Sequence, residues 1–254
     1  MSVLSFDVFK QFPSLVAAVA TADYGNMSAR YGPWPKVQQN RRRFFNDIGV
    51  PEEKAVVSSL VHGHKIIEVT GADRGKGIAE PETALEGDIL ITDEPDTYLF
   101  FVVADCLALF YFEPVKRICA LAHAGWRGVD QKVPELTVEH MVRRWGCERS
   151  KIVVAMSPAL QCESSRNEDI EQKDKPSWQA YIKTDTELGR KIYCVDWTRF
   201  AYDQIIGAGV KPENIERSMI DTKTSSDYFS HRRAVESVEP EARFGCLIGR
   251  GLTP

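Results

Sequence analysis

The sequence predicts an α+β fold in a single domain spanning residues 1–254, on three observations. Thr97–Ala104 and Leu107–Phe112 are strongly apolar and return through Arg117–Leu121, which reads as a buried hairpin. Amphipathic helical segments follow that hairpin, and no Pro/Ser-rich linker divides the 254 residues.

Taken in order, Phe12–Ala20 is an apolar entry strand, and the stretches around Gly25–Ser28 and Gly32–Pro35 are turns. Asn40–Ile48 has helical character and stops at Gly49. Ala55–Leu60 leads into Val61-His62-Gly63-His64, and Lys65–Thr70 resumes strand-like alternation. Gly71–Glu86 reads as a loop beside whatever site the histidines face, and Gly87–Thr92 as a turn entering a strand. Beyond the hairpin, Pro134–Trp145 is a helix, with Val138, Met141, Val142 and Trp145 on one face and Gly146 as its stop. Lys151–Met156 is a strand, Glu163–Lys175 a polar surface segment, and Thr198–Gly207 a helix capped by Thr198 or Asp196. Asn214–Ile220 and Arg243–Ile248 are late strands. Gly146–Ile152 and Gly209–Ile215 share one spacing from Gly to Ile, each between a helix and a strand, a short internal echo.

The composition is 43% hydrophobic and 27% charged with a formal charge of −4, which argues against a dominant nucleic-acid or membrane-surface role. Tyr98–Phe112 is too short to span a bilayer and carries Asp105. Met1–Asp7 has neither a basic region nor an apolar core, so no signal peptide and a cytoplasmic location are expected. The six cysteines show no framework spacing, and reduced thiols are the expectation.

If Glu113–Lys116 is the turn, Phe112 pairs with Arg117 and Cys106 falls opposite His123. A thiolate beside an imidazole begins either a zinc site or a nucleophile–base pair. His62 and His64, two apart on a strand, share a face, and either completes a His₂Cys set that polarises an oxygen or a leaving group. Against this stand plainer readings: a free Cys is commonly just a small buried hydrophobe, and the histidines ordinary surface imidazoles. Arg127, between two glycines, offers a planar fork to phosphate or carboxylate, or else forms a surface salt bridge. Arg41–Arg43 and Arg232–Arg233 are further basic clusters from which one or two members each are expected to act.

Val61-His62-Gly63, Ala104-Asp105-Cys106 and His123-Ala124-Gly125-Trp126-Arg127-Gly128 resemble the YfiH-type family. Its members were long labelled multicopper polyphenol oxidases or laccase-domain proteins and are now described as purine nucleoside phosphorylases. Asn40-Arg41, Gly87-Asp88, Ser157–Cys162, Tyr228–Arg233 and Arg243 extend the match along the chain. The resemblance implies layered mixed β-sheets with helices packed outside. It also implies zinc held by His62, Cys106 and His123, with Cys106 and His123 at the reaction centre. Arg41, Arg127, Cys162 and Arg233, within the matched motifs, are the expected substrate contacts. The implied substrates are a purine nucleoside and phosphate, with adenosine deamination as a second activity.

Four departures bear on substrate choice. An early Thr-Arg-x-Gly-Gly-type segment is Thr21-Ala22-Asp23-Tyr24-Gly25 here, without its Arg. A Cys-Thr pair reads Asp221-Thr222, and Glu163 and His231 stand where aromatics are expected. Other readings are a Cys–His amidase that edits peptidoglycan precursors and a degenerate, non-catalytic binding protein. A multicopper oxidase would need many more His than the five present.

Overall fold

The computed structural model describes residues 2–252. The chain begins with β1 (Val3–Leu4), β2 (Leu15–Ala20), α1 (Trp34–Asp47), β3 (Ala55–Ser59), β4 (Ile66–Glu68), β5 (Leu85–Glu86) and β6 (Ile89–Thr92). The central strands β7 (Thr97–Val103), β8 (Leu107–Glu113) and β9 (Ile118–Ala124) lead into α2 (Trp126–Asp130) and α3 (Val133–Trp145). Then come β10 (Val153–Met156), β11 (Arg166–Asn167), β12 (Ile182–Glu187), β13 (Arg190–Val195), α4 (Trp197–Gly207), β14 (Ile215–Arg217), α5 (His231–Ser237) and β15 (Phe244–Arg250).

Two six-stranded mixed sheets, ordered β1-β2-β15-β7-β3-β5 and β14-β10-β8-β9-β6-β4, carry most of these strands. Period-two alternation explains how they stack. Leu99, Phe101 and Val103 of β7 meet Ala108, Phe110 and Phe112 of β8 in a shared core between the sheets. The alternate residues Tyr98 and Phe100 face outward onto Phe44 and Phe45 of α1. On the other side, Leu107, Leu109 and Tyr111 pack with Val138 and Met141 of α3 and Ala201 and Ile205 of α4. Both strands are therefore apolar along nearly their whole length because each is covered on two faces. The layers run helix, sheet, sheet, helices: an α+β fold of layered mixed sheets with the helices outside. Phe100 is fully buried and touches both Phe44 and Phe45, so Phe100→Ala is expected to cost about 3–5 kcal/mol in denaturant unfolding.

Several elements differ from the sequence reading. α1 starts at Trp34, six residues before Asn40, because Pro35 sits in the first turn, where its missing N–H is no loss. The turn of the central hairpin is Pro114–Arg117, with Arg117 at φ 58°, so Glu113 pairs with Ile118 and Phe112 with Cys119. His123 thus lies opposite Ala108 rather than Cys106. The slip moves the pairing by two positions, so the predicted faces are kept. Residues 61–65 are not a strand, and His62 takes a left-handed φ of 59°. α5 and the three-stranded sheet β11-β13-β12 were not anticipated. β12 is Ile-Lys-Thr-Asp-Thr-Glu, exposed at all but its first residue, and gives no apolar alternation to read.

The internal echo has a structural counterpart. α3 ends at Gly146 with φ 67° and α4 near Gly209 with φ 93°, and the strands that follow, β10 and β14, pair in parallel. Asn214 ties the two connections together by donating to the carbonyls of Ser150 and Ile152.

Candidate metal centre

β7 belongs to one sheet and β8 to the other, so the chain must cross between layers at Ala104-Asp105-Cys106. Asp105 makes the crossing at φ 74°. Its carboxylate accepts from Thr222 Oγ1 at 2.6 Å and from the Arg232 N–H at 2.7 Å, and its carbonyl accepts from Leu160 N at 2.9 Å. Cys106 is thereby held at the sheet edge beside the end of β9, which carries His123.

His123 is buried, and its Nδ1 lies 2.8 Å from Asp88 Oδ1. Asp88 is fully buried and also accepts from the backbone N–H of His62 at 3.0 Å and of Gly63 at 2.8 Å. One carboxylate therefore fixes two histidines: the ring of His123 directly, and His62 through its strained backbone. Burial would raise the Asp88 pKa, but the His123 hydrogen bond and the two backbone donors hold it below the usual carboxylate range. An ionised Asp88 keeps the proton on His123 Nδ1, so Nε2 is the ring atom that could hold a metal.

The His62 and His123 rings lie 4.9 Å apart, near perpendicular, and ligand atoms of His62, Cys106 and His123 all fall within 4.8 Å of one another. Two imidazoles and a thiol this close are donors that could hold a metal ion. Among the described residues this is the one group of three or more such side chains close enough to hold an ion. Gly125 is part of the construction: a Cβ there would lie 2.7 Å from Cys106 Sγ. Its φ of −78° is open to any residue, so Gly125→Ala adds only that clash. The substitution is expected to lower metal stoichiometry, measured by elemental analysis, without lowering the unfolding midpoint by more than a few degrees.

The three residues line a cavity of about 570 Å³ bounded by Val57, Leu60, Val102 and Val103 and by three arginines, Arg30, Arg41 and Arg243. Gly77, Pro81 and Ala84 of the expected 71–86 loop form part of its wall. Arg41 reaches it because Val37, Asn40, Arg41, Phe44 and Phe45 form the buried stripe of α1. Its neighbours Arg42 and Arg43 turn instead to Glu52 and to the Tyr24 carbonyl. Arg41 donates to the carbonyls of Met27 at 2.9 Å and Gly77 at 3.1 Å and has no carboxylate partner among the described residues; burial pulls its pKa down to about 10.

Three expected contacts do not line this cavity. Arg127 lies over the Trp126 ring and pairs with Glu171 at 3.2 Å on the surface. Arg233 spends its donors on the carbonyls of Thr222, Lys223, Ser225 and Tyr228 and on Glu239, which organises the chain before α5. Cys162 is disulfide-bonded to Cys194, with Cα atoms 5.3 Å apart, which corrects the expectation of reduced thiols at these two positions, while Cys106, Cys119, Cys147 and Cys246 are free thiols. His64, the other histidine of the pair, turns to Gln131 at 2.6 Å.

The family model described as "Multi-copper polyphenol oxidoreductase laccase" matches residues 18–248. The chain belongs to this laccase-domain, YfiH-type family. It is 33% identical over 207 residues to a protein of Geobacillus stearothermophilus named purine nucleoside phosphorylase YlmD, covering 78% of this chain and 73% of that one. It is 27% identical over 245 residues to a purine nucleoside phosphorylase of Staphylococcus saprophyticus, covering 88% of each. The crystal structure of Geobacillus stearothermophilus YlmD superposes with a TM-score of 0.86 at 29% identity, over 95% of this chain and 94% of that one. That of Bacillus licheniformis YfiH superposes with a TM-score of 0.88 at 25% identity, over 98% and 96%.

In this YfiH-type chain Gly87-Asp88 belongs to the matched motifs, but the sequence alone assigns Asp88 no role. A lone Asp before an apolar strand carries no signal of its own; only the fold brings it to His62 and His123. Arg30 and Arg243 also line the cavity, and neither sits in a basic cluster that would mark it in the sequence.

Proposed function

We propose that the protein is a zinc-dependent purine nucleoside phosphorylase that also deaminates adenosine. The observation that supports this best is a His₂Cys set opening onto the same cavity as Arg41, a buried guanidinium with no acidic partner. Breaking an N-glycosidic bond with phosphate needs an anion held in place and charge stabilised on the departing base. When bound by His62, Cys106 and His123, zinc supplies Lewis-acid stabilisation at that end of the cavity. Arg41 is suited to the phosphate: its hydrogen bonds go to carbonyl oxygens and its guanidinium lies over the Trp34 and Phe100 rings, and a desolvated guanidinium binds an oxyanion strongly. Val57, Leu60, Val102 and Val103 offer the apolar walls that a purine ring needs. Asp88 keeps His62 and His123 oriented throughout. The YlmD-type names of the relatives support the same reading.

The test is a product assay with inosine and adenosine, with and without phosphate, comparing wild type and Cys106→Ala. Phosphate-dependent release of free base, lost in the variant, is the expected result. No turnover by a folded, zinc-loaded wild type would overturn the reading. One feature favours a second reading: Cys106 Sγ lies beside two imidazoles, an arrangement that without metal makes a thiolate nucleophile. Hydrolysis of muropeptide-type amides that survives chelation would support it.

A further inference from the structure

The cavity holds more positive charge than inorganic phosphate alone requires. Beyond Arg41, its mouth is built around Tyr31: Arg30 Cζ lies 5.6 Å and Arg243 Cζ 4.3 Å from that ring, and Arg243 donates to the Tyr31 hydroxyl at 3.1 Å. Arg243 is also anchored by Glu241 at 2.6 Å, and Glu241 in turn holds Nδ1 of His231, which lines the cavity. The Arg30 guanidinium is exposed and has no hydrogen bond or ion pair among the described residues. The one carboxylate lining the cavity, Asp105, is already engaged by Thr222 and the Arg232 N–H. Arg30 and Arg41 thus both face the cavity without an acidic partner, one exposed and one buried on α1.

Resting on the purine nucleoside reading, we propose that the mouth formed by Arg30 and Arg243 is a second anion site and that the cavity takes purine nucleoside 5′-monophosphates. The ester phosphate binds at the mouth, while Arg41 is left for the free phosphate. A planar fork such as Arg30, backed by an anchored Arg243, matches a phosphomonoester in geometry and charge. Two anion sites in one cavity also separate the two sources of phosphate, the substrate's own and the inorganic reactant.

The experiment is isothermal titration of the zinc-loaded full chain with inosine 5′-monophosphate, with inosine, and with inosine plus equimolar sulfate, an oxyanion that cannot phosphorolyse the nucleoside. The monophosphate is expected to bind at least about tenfold tighter than inosine in either condition, the scale of one charge-assisted hydrogen bond. In Arg30→Gln, an exposed change that leaves the core untouched, the ratio of the two affinities is expected to fall close to one. In Arg41→Gln the ratio is expected to persist while inorganic phosphate binding weakens. Equal affinities in wild type, an advantage reproduced by inosine plus sulfate, or an undiminished ratio in Arg30→Gln would each overturn the proposal. If inosine is phosphorolysed but the monophosphate has no advantage, the mouth site alone fails. If the monophosphate binds preferentially and no nucleoside turns over, the anion site stands and the phosphorylase reading falls. If neither ligand binds, both are wrong.

Discussion

Cys106→Ala is expected to abolish stoichiometric metal binding and to lower turnover by more than the 10–100-fold that losing a mere supporting group costs, while the protein still folds. Cys106 is half-buried in a bend at the sheet edge, so removing its sulfur leaves no large cavity, and most single changes of that kind cost about 0.5–3 kcal/mol. The measurements are metal content by elemental analysis and the thermal unfolding midpoint, run on the same preparation. Full stoichiometric metal at the same site in the variant would show that the ligand assignment is wrong.

The pH dependence of metal binding has a definite sign. Burial raises the Cys106 pKa, but hydrogen bonds from His123 and His62 outweigh it and bring the thiol down to about 6. Burial lowers that of His123, but Asp88 and Cys106 outweigh it and hold the ring up at about 9. A ligating nitrogen and sulfur must shed their protons. Between pH 9 and pH 6 the metal competes with one proton on His123, and below about pH 6 with a second on Cys106. Affinity should therefore fall as pH is lowered, more steeply below about 6, in competition titrations with a chelator. Affinity that rose on acidification would contradict the site.

Asp88→Asn should weaken metal binding by about 10–100-fold, the usual cost of losing a carboxylate behind a ligating histidine. Asp88 receives three donors: His123 Nδ1, His62 N and Gly63 N. An amide of the same shape has one oxygen, so at least one of the three donors must face an NH₂. Cobalt in place of zinc gives a thiolate-to-metal absorption band that reports ligand geometry independently of turnover. Unchanged affinity and an unchanged cobalt spectrum would mean that Asp88 is structural only.

Much of this protein was legible residue by residue. Unbroken apolar runs at Thr97–Phe112 announced strands covered on both faces, and the helix before Gly146 carried its own stripe and stop signal. Cys106 and His123 could be placed on one face from hairpin counting, because a slip of two residues preserves the side of the sheet. Other parts left no trace. β12 is polar on both faces and is held by its partner strand rather than by an apolar side. The pairing of Cys162 with Cys194, 32 residues apart, depends on where the turn at Cys162 comes to rest against β13.

Periodicity, turn chemistry and the choice of ligating residue types belong to the sequence itself, because they depend on neighbours a few residues apart. The tertiary structure decided which arginines face the cavity, since that turns on how each helix or loop is rotated against the sheets. It turned Arg41 inward and committed Arg127 and Arg233 elsewhere. It also brought Asp88 to His123, 35 residues away, where burial makes a single carboxylate hold the site in register.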